Sequence, residues 1–143
     1  MQAVIYLAAQ SDKAPILQRT ISEELDIPNH FLGKILQQLT PHNIIRSQKG
    51  KDGGFSLDRP PTEISLYTII EIIDGKTVLD NCILGFPGCN DDTPCPLHGQ
   101  WSEAKESIVG MLKSETVDDL AKRMDVKLDA IKRSIAQSLK NNT

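Results

Sequence analysis

Apolar residues recur at helical spacing in three short segments at the start of the chain. One apolar face over residues 3–8 predicts a first helix, and further stripes predict a second helix from about Leu17 to Leu25 and a third from about Pro28 to Leu39. A tight connection over residues 26–29 separates the last two. Two short helices joined by such a turn predict a helix-turn-helix motif.

After the third helix the pattern becomes that of a β-hairpin. Residues 43–48 and 54–58 predict two short strands around a tip that contains Gly50 and Gly53, where glycine permits positive φ. A hairpin directly after a helix-turn-helix is typical of the wing of a winged helix. The predicted fold is therefore mainly α with a small β wing.

Further helical stripes follow the hairpin. Ser65 is the predicted N-cap, and Gly75 the predicted stop, of a helix after the wing. A longer helix from about Leu97 to Ser114 extends beyond a small domain, so its apolar stripe needs a partner, and a second copy of the chain is the simplest one. The long helix is the predicted dimer element.

Two more helices are predicted near the end of the chain, one capped by Thr116 with Asp119 and a last one striped from about Leu128. The predicted organisation has three parts. These are a winged helix-turn-helix domain over 1–75, a cysteine loop over 76–98, and a dimerisation helix with C-terminal helices over 97–143.

All three cysteines of the chain lie in one loop with a histidine, in the order Cys82, Cys89, Cys95 and His98. Glycines and prolines in NCILGFPGCNDDTPCPLH exclude a regular helix or strand. Thiolate and imidazole are ligands of zinc and of iron–sulfur clusters, so the loop is a predicted metal or cluster site. Zinc sites usually begin with cysteine pairs about two to four residues apart, and the longer gaps here favour the cluster. Asp91 with its neighbour Asp92 is predicted to form a solvated turn.

The third helix and the wing contain the candidate DNA-contacting side chains. Residues 29–59 include five basic and two acidic side chains, a local charge of +3 in a chain whose net charge is −3. Basic groups on a wing can hold phosphates, and polar groups on the helix can contact base edges. The predicted DNA-contacting residues are Asn29, His30, Lys34, Gln37 and Gln38 on the helix, and Arg46, Lys49, Lys51 and Arg59 on the wing.

The composition of the chain restricts the classes of protein to which it can belong. No apolar run approaches the roughly 20 residues of a membrane span, and the N-terminus lacks the basic start of a secretory signal, so we expect a cytoplasmic protein without membrane contact. An odd number of cysteines argues against a disulfide framework. A cysteine nucleophile with His98 as its base has no supporting catalytic motif, so the chain is predicted not to be an enzyme.

Three stretches resemble the Rrf2 family of winged-helix regulators, in particular its IscR/NsrR-like members that bind iron–sulfur clusters. They are PILQRTISEELDIPNHFLGKILQQL, GKDGGFSLDRPPTEISLYTIIEIIDG and the cysteine–histidine loop, and the wing exit GGFSLDRPP is the most specific part. The resemblance implies a homodimeric transcription factor, a repressor or an activator, whose third helix and wing bind an operator in double-stranded DNA.

The same resemblance implies that Cys82, Cys89 and Cys95 ligate an iron–sulfur cluster. His98 stands where some members place the histidine ligand of a two-iron cluster, whereas others hold a four-iron cluster. The resulting hypothesis is a regulator that senses iron, redox or nitric oxide status through the cluster. A zinc-stapled or thiol-based winged-helix regulator without a cluster is the alternative.

Overall fold

The first apolar stripe of the sequence forms a helix that is buried on every side. In the computed structural model, which describes residues 1–10, 14–77, 79–124 and 127, helix α1 spans Gln2–Ala9, and residues 3–8 are all buried. Helices α2 (Gln18–Leu25) and α3 (Asn29–Leu39) pack against each other, and a left-handed residue, Asp26 at φ 53°, ends α2. The predicted helix-turn-helix is confirmed.

The wing is a two-stranded antiparallel hairpin. Strand β1 (Ile45–Gln48) pairs with β2 (Gly54–Leu57), so that Ile45 faces Leu57 across the ladder. Both strands are shorter than the predicted ranges. Asn43 has a left-handed φ of 56° after a 3-10 turn, and this backbone conformation cannot begin a strand.

A feature that the sequence did not indicate ties the wing to the helices. The backbone N–H of Ile16 donates to the carbonyl of Phe55 at 2.9 Å, and the N–H of Phe55 donates to the carbonyl of Ile16 at 2.8 Å. This pair of bonds attaches the segment before α2 to the free edge of β2. The wing is consequently fixed to the helix-turn-helix and does not project alone.

Helix α4 (Leu66–Asp74) begins and ends at the predicted residues. The Ser65 hydroxyl accepts a hydrogen bond from the Thr68 N–H at 3.2 Å, and Gly75 follows the helix with a φ of 89°. The long helix α5 spans His98–Ser114, so it starts one residue later than predicted. None of its residues is buried in this chain.

After α5 the chain returns to the core of the winged helix. The N–H of Leu66 donates to the carbonyl of Glu115 at 3.1 Å, and the N–H of Val117 donates to the carbonyl of Ile64 at 2.8 Å. Residues 117–124 are helical, and Val117 and Ala121 belong to the same buried cluster as α1, α3 and α4. Segments at both ends of the described chain therefore build one core.

The predicted cap of this returning segment is present. The Thr116 hydroxyl donates to the Asp119 carboxylate at 2.6 Å, and the Asp119 N–H donates back to that hydroxyl at 3.2 Å. Hydrogen bonds from the Thr116 side chain and backbone lower the pKa of Asp119. The stripe predicted from Leu128 lies outside the described residues. Within the described part of the chain, no helix combines the length and apolar character needed to cross a membrane.

Substitution of Gly54 by alanine is expected to destabilise the fold strongly. Gly54 has a φ of 145°, and an added Cβ would lie 2.5 Å from the backbone carbonyl of Ile16, which the wing bridge holds in place. Positive-φ strain costs about 1–3 kcal/mol, and the clash adds an overpacking cost of about 1–3 kcal/mol. Gly50 is the matched control, because its φ is 108° but an added Cβ would meet nothing within 4 Å. Urea unfolding should show a clearly larger loss of stability for Gly54→Ala than for Gly50→Ala, and equal losses would contradict the close approach.

Candidate metal centre and nucleic-acid interface

The cysteine loop connects the end of α4 to the start of α5, and two contacts hold it against α5. The indole N–H of Trp101 donates to the backbone carbonyl of Asn81 at 3.0 Å. The Lys105 ammonium lies 3.8 Å from the Asp80 carboxylate. The residues just before the first cysteine are thus attached to the first two turns of α5, although the loop has no regular secondary structure of its own.

The folded loop brings all three thiols to one point. Their sulfur atoms lie within 4.8 Å of one another, and Cys82 Sγ is 3.6 Å from Cys95 Sγ. The Cys95 backbone N–H donates to Cys89 Sγ at 3.4 Å. Nδ1 of His98, the first residue of α5, lies 3.2 Å from Cys89 Sγ. Three thiols that are separated in sequence therefore meet in a single cluster, and His98 contacts this cluster at Cys89.

This donor set fits a thiophilic metal. In a tetrahedral site with metal–sulfur bonds of about 2.3 Å, neighbouring sulfurs lie about 3.8 Å apart, close to the separation of Cys82 and Cys95. An iron–sulfur cluster separates its irons by bridging sulfides, so its ligand sulfurs lie farther apart. Gly85 and Gly88, which follow the first cysteine and precede the second, have positive φ and open space around them. Cysteine thiolates are also the ligands of iron–sulfur clusters, so the chemistry of the donor set fits that group as well.

The imidazole of His98 contacts a carboxylate on the side away from the thiols. Its Nε2 lies 2.9 Å from Asp91 Oδ1. The Asn90 side chain shapes this turn by accepting backbone N–H bonds from Asp92 and Thr93, both at 2.9 Å. The sequence predicted a solvated turn here, and a polar turn forms, but the contact between Asp91 and His98 was not foreseen.

The thiols differ in acidity. Burial raises the pKa of the Cys82 thiol. Hydrogen bonds from the backbone N–H groups of Phe86 and Leu84 and from the other thiols outweigh burial and lower this pKa to about 7. At Cys89 the bond from the Cys95 N–H lowers the pKa, but burial and the neighbouring sulfurs outweigh it, so this pKa is raised. Cys82 is consequently expected to ionise before Cys89, and thiolate is the form that binds metals.

Apolar side chains around the loop are exposed in the single chain. Ile83 and Phe86 are each 56% exposed, and Met111 on α5 is 56% exposed as well. Large apolar side chains at such exposure, together with a long helix without a buried residue, form a surface that a protein partner can cover.

The residues of the third helix that were predicted to contact DNA all lie on the open face of α3. The exposed residues are Asn29, His30, Lys34, Gln37 and Gln38. One of them has an additional contact, because Gln18 Nε2 donates to the Asn29 backbone carbonyl at 2.7 Å and to its Oδ1 at 3.0 Å. Gln18 also covers Gly33, where an added Cβ would lie 2.8 Å from Nε2. Gln18 was not among the residues predicted from the sequence. A polar residue that will lie against a glycine of another helix leaves only a weak signal in the sequence.

The four basic wing residues fall into two groups. Lys49 and Lys51 are exposed at the hairpin tip. Arg46 pairs with Asp58 at 2.6 Å, and Arg59 is half-buried with Nη2 directed to the His42 carbonyl at 3.4 Å. The lysines thus present their charge to solvent at the tip, whereas both arginines have partners within the fold, although the Arg46 side chain remains 61% exposed.

A helix-turn-helix with an exposed polar face, followed by a basic hairpin, defines a winged-helix DNA-binding protein. Residues 1–123 match the family described as "Rrf2: Iron-dependent Transcriptional regulator". The chain belongs to the Rrf2 family, which is a family of transcriptional regulators and not of enzymes.

Individual relatives agree with this assignment. An HTH-type transcriptional regulator of Aquifex aeolicus is 33% identical over 120 residues, which are 82% of this chain and 83% of that protein. The HTH-type transcriptional regulator IscR of Serratia proteamaculans is 27% identical over 124 residues, or 87% of this chain and 75% of that protein. The structure of CymR, the global cysteine regulator of B. subtilis, superposes with a TM-score of 0.72 at 22% identity and covers 85% of this chain and 89% of that one. This last likeness shows the fold.

In the metal-free chain, Cys82 should be alkylated before Cys89 as the pH is raised. Only the thiolate reacts, so the rate at Cys82 is expected to rise through a midpoint of about pH 7, whereas Cys89 needs more alkaline solution than an ordinary thiol. Peptide mass spectrometry after timed iodoacetamide treatment between pH 5 and 10 measures each site. A common midpoint for Cys82 and Cys89 would contradict the hydrogen-bond pattern around them.

Proposed function

We propose that the chain is a DNA-binding regulator whose operator binding responds to an iron–sulfur cluster held by Cys82, Cys89, Cys95 and His98. The observation that carries the proposal is the convergence of three thiols within 4.8 Å, with the histidine nitrogen 3.2 Å from one of them. The iron dependence in the family's description supports an iron-containing group. A two-iron cluster suits a set of three cysteines and one histidine, and a four-iron cluster is the alternative.

The loop is well placed to convert a change in the bound group into a change of shape. An iron–sulfur cluster supplies electron transfer and sensitivity to iron supply, oxidants or nitric oxide, which the side chains lack. The thiolates and the imidazole would hold it, and the loop between α4 and α5 would order around it. Because Trp101 and Lys105 attach the loop to α5, a change in loop order alters how α5 lies against α4. Two arrangements of different DNA affinity are then populated according to the state of the centre.

Dimerisation would couple two such chains. Helix α5 has no buried residue in the single chain, and Met111 on it is 56% exposed. A second copy that packs its own α5 against this helix would bury these side chains. Two winged-helix heads would then contact two half-sites of one operator, at a spacing set by the dimer.

DNA contact is proposed for the exposed face of α3 and for the wing. Lys34, Gln37 and Gln38 would contact base edges and nearby phosphates, with His30 beside them. Asn29 would use its amide NH₂, because Gln18 occupies its oxygen. In the wing, Lys49 with Lys51 would hold phosphates, and the engaged residues Arg46 and Arg59 would maintain the shape of the hairpin and add charge.

A second candidate centre is a single zinc ion that only staples the loop. The separation of 3.6 Å between Cys82 Sγ and Cys95 Sγ favours it, because this spacing suits one tetrahedral ion without opening of the loop. Such a protein would bind DNA in the same way and would not sense redox state or nitric oxide.

The metal and sulfide content of the purified protein distinguishes an iron–sulfur cluster from a single zinc ion. Protein purified without oxygen is expected to contain iron with an equal amount of acid-labile sulfide and to show a broad visible absorption, and the iron count per chain selects between two-iron and four-iron clusters. Cys95→Ala is expected to lose the iron and sulfide as well as the visible absorption, because one of the thiolate ligands is removed. One zinc per chain in colourless protein would refute the cluster and leave the staple.

Neutralising the wing tip should weaken DNA binding for every sequence alike. Removing a lysine that binds a phosphate is expected to reduce the slope of log binding constant against log salt by about 0.9. Lys49→Ala and Lys51→Ala are each compared with Lys122→Ala, which removes the same charge from an exposed, ion-paired site on the returning helix. Fluorescence anisotropy at several salt concentrations gives the slopes. Slopes unchanged in both wing variants would exclude these lysines from the interface.

A further inference from the structure

The geometry points to Asp91 as a positioning residue of the centre: its carboxylate holds His98 so that Nδ1 is free to bind metal among the three thiols. This inference rests on the proposed function, because it concerns how the same site is organised. It adds a fifth residue, outside the ligand set, on which the affinity of the site depends.

The two ring nitrogens of His98 have different partners on opposite sides. Nε2 lies 2.9 Å from Asp91 Oδ1, and Nδ1 lies 3.2 Å from Cys89 Sγ. A neutral imidazole has one N–H, and a carboxylate can only accept. In the neutral ring, donation to Asp91 assigns the hydrogen atom to Nε2. The lone pair on Nδ1 is then directed toward the thiols, as a metal ligand requires.

The carboxylate owes its position to the turn between the second and third cysteines. Asn90 Oδ1 accepts the backbone N–H groups of Asp92 and Thr93, both at 2.9 Å. The Thr93 hydroxyl donates to the Gly88 carbonyl at 3.0 Å and closes the turn. The residue that orients the histidine is thus fixed within the loop that supplies two of the thiols.

A carboxylate in this position has a known effect on a metal-binding histidine. It fixes the ring orientation and the tautomer and makes the ligating nitrogen more basic, and its loss typically costs about 10–100-fold in metal affinity. The Asp91 side chain is fully exposed, while the His98 side chain is 20% exposed. Solvent around the carboxylate weakens its hydrogen bond, so we expect the lower end of this range, about tenfold.

The neighbouring residue provides a matched control. Asp92 carries the same charge one position later in the same turn, and the contact to the imidazole is made by Asp91. A long-range attraction between acidic side chains and a divalent ion would act from both positions. An effect through the histidine would act from Asp91 alone.

The test is anaerobic titration of the full-length, metal-free chain with Co²⁺, followed by its absorption bands and by competition with a chelator. Asp91→Ala is expected to weaken Co²⁺ binding about tenfold, whereas Asp92→Ala should change it by no more than about twofold, as for an exposed charge. Circular dichroism of each variant checks that the winged helix is retained. Equal effects of the two substitutions would overturn the inference.

A double-mutant cycle separates positioning from direct action. In a His98→Ala background, Asp91→Ala should cause no further loss of Co²⁺ affinity, because the residue through which it acts is gone. A full tenfold loss in that background would also overturn the inference. If the parent chain fails to develop Co²⁺–thiolate bands, the role of Asp91 toward a bound metal ion is overturned, whereas the proposed cluster is tested separately by its iron and sulfide content. If the parent binds and Asp91→Ala matches it, only the role of Asp91 is refuted.

Discussion

The structure depends on the backbone hydrogen bonds between the residues around the start of α4 and the residues that follow α5. Ile64 and Leu66 bond to Val117 and Glu115, and Ile64 and Val117 are fully buried. This closure holds one end of the pair α4 and α5 inside the core of the winged helix. At the other end of the pair, Ile72 and Ile73 of α4 still pack against the core, and the cysteine loop connects α4 to the start of α5. A change in that loop therefore acts on the start of α5, a helix with no buried residue in this chain.

The two candidate sites use different kinds of scaffold for physical reasons. A DNA-contacting surface must keep its shape, and α3 presents its polar side chains from a helix whose Leu32, Leu36 and Leu39 are almost completely buried. The candidate centre, in contrast, has its thiols in a loop without secondary structure, which can change its arrangement more readily than a helix. The donors nevertheless converge, because hydrogen bonds from Trp101 to the loop and from Cys95 to Cys89 replace the missing helix or strand.

Local signals in the sequence were sufficient for most of the elements and for the identity of the donors. Ser65, Gly75 and the pair Thr116 and Asp119 act at the ends of their own helices, so their roles followed from their neighbours in the chain. Interactions between distant segments left no such signal. The bridge from Ile16 to Phe55 joins residues far apart in sequence, and although 54–58 was predicted as a strand, nothing near Ile16 indicated that it would pair with that strand.

The sequence by itself determined the class of the protein, the approximate helices, the wing and the four residues of the candidate centre, because capping, periodicity and the soft chemistry of cysteine and histidine are local properties. Only the tertiary structure decided that the segment after α5 completes the winged-helix core and that Arg46 pairs with Asp58, whereas Lys49 and Lys51 are exposed at the wing tip. It also decided that Asp91 faces His98. These outcomes depend on which side chains meet after the chain has folded back, and contacts between segments that are separate in sequence arise only from packing of the whole molecule.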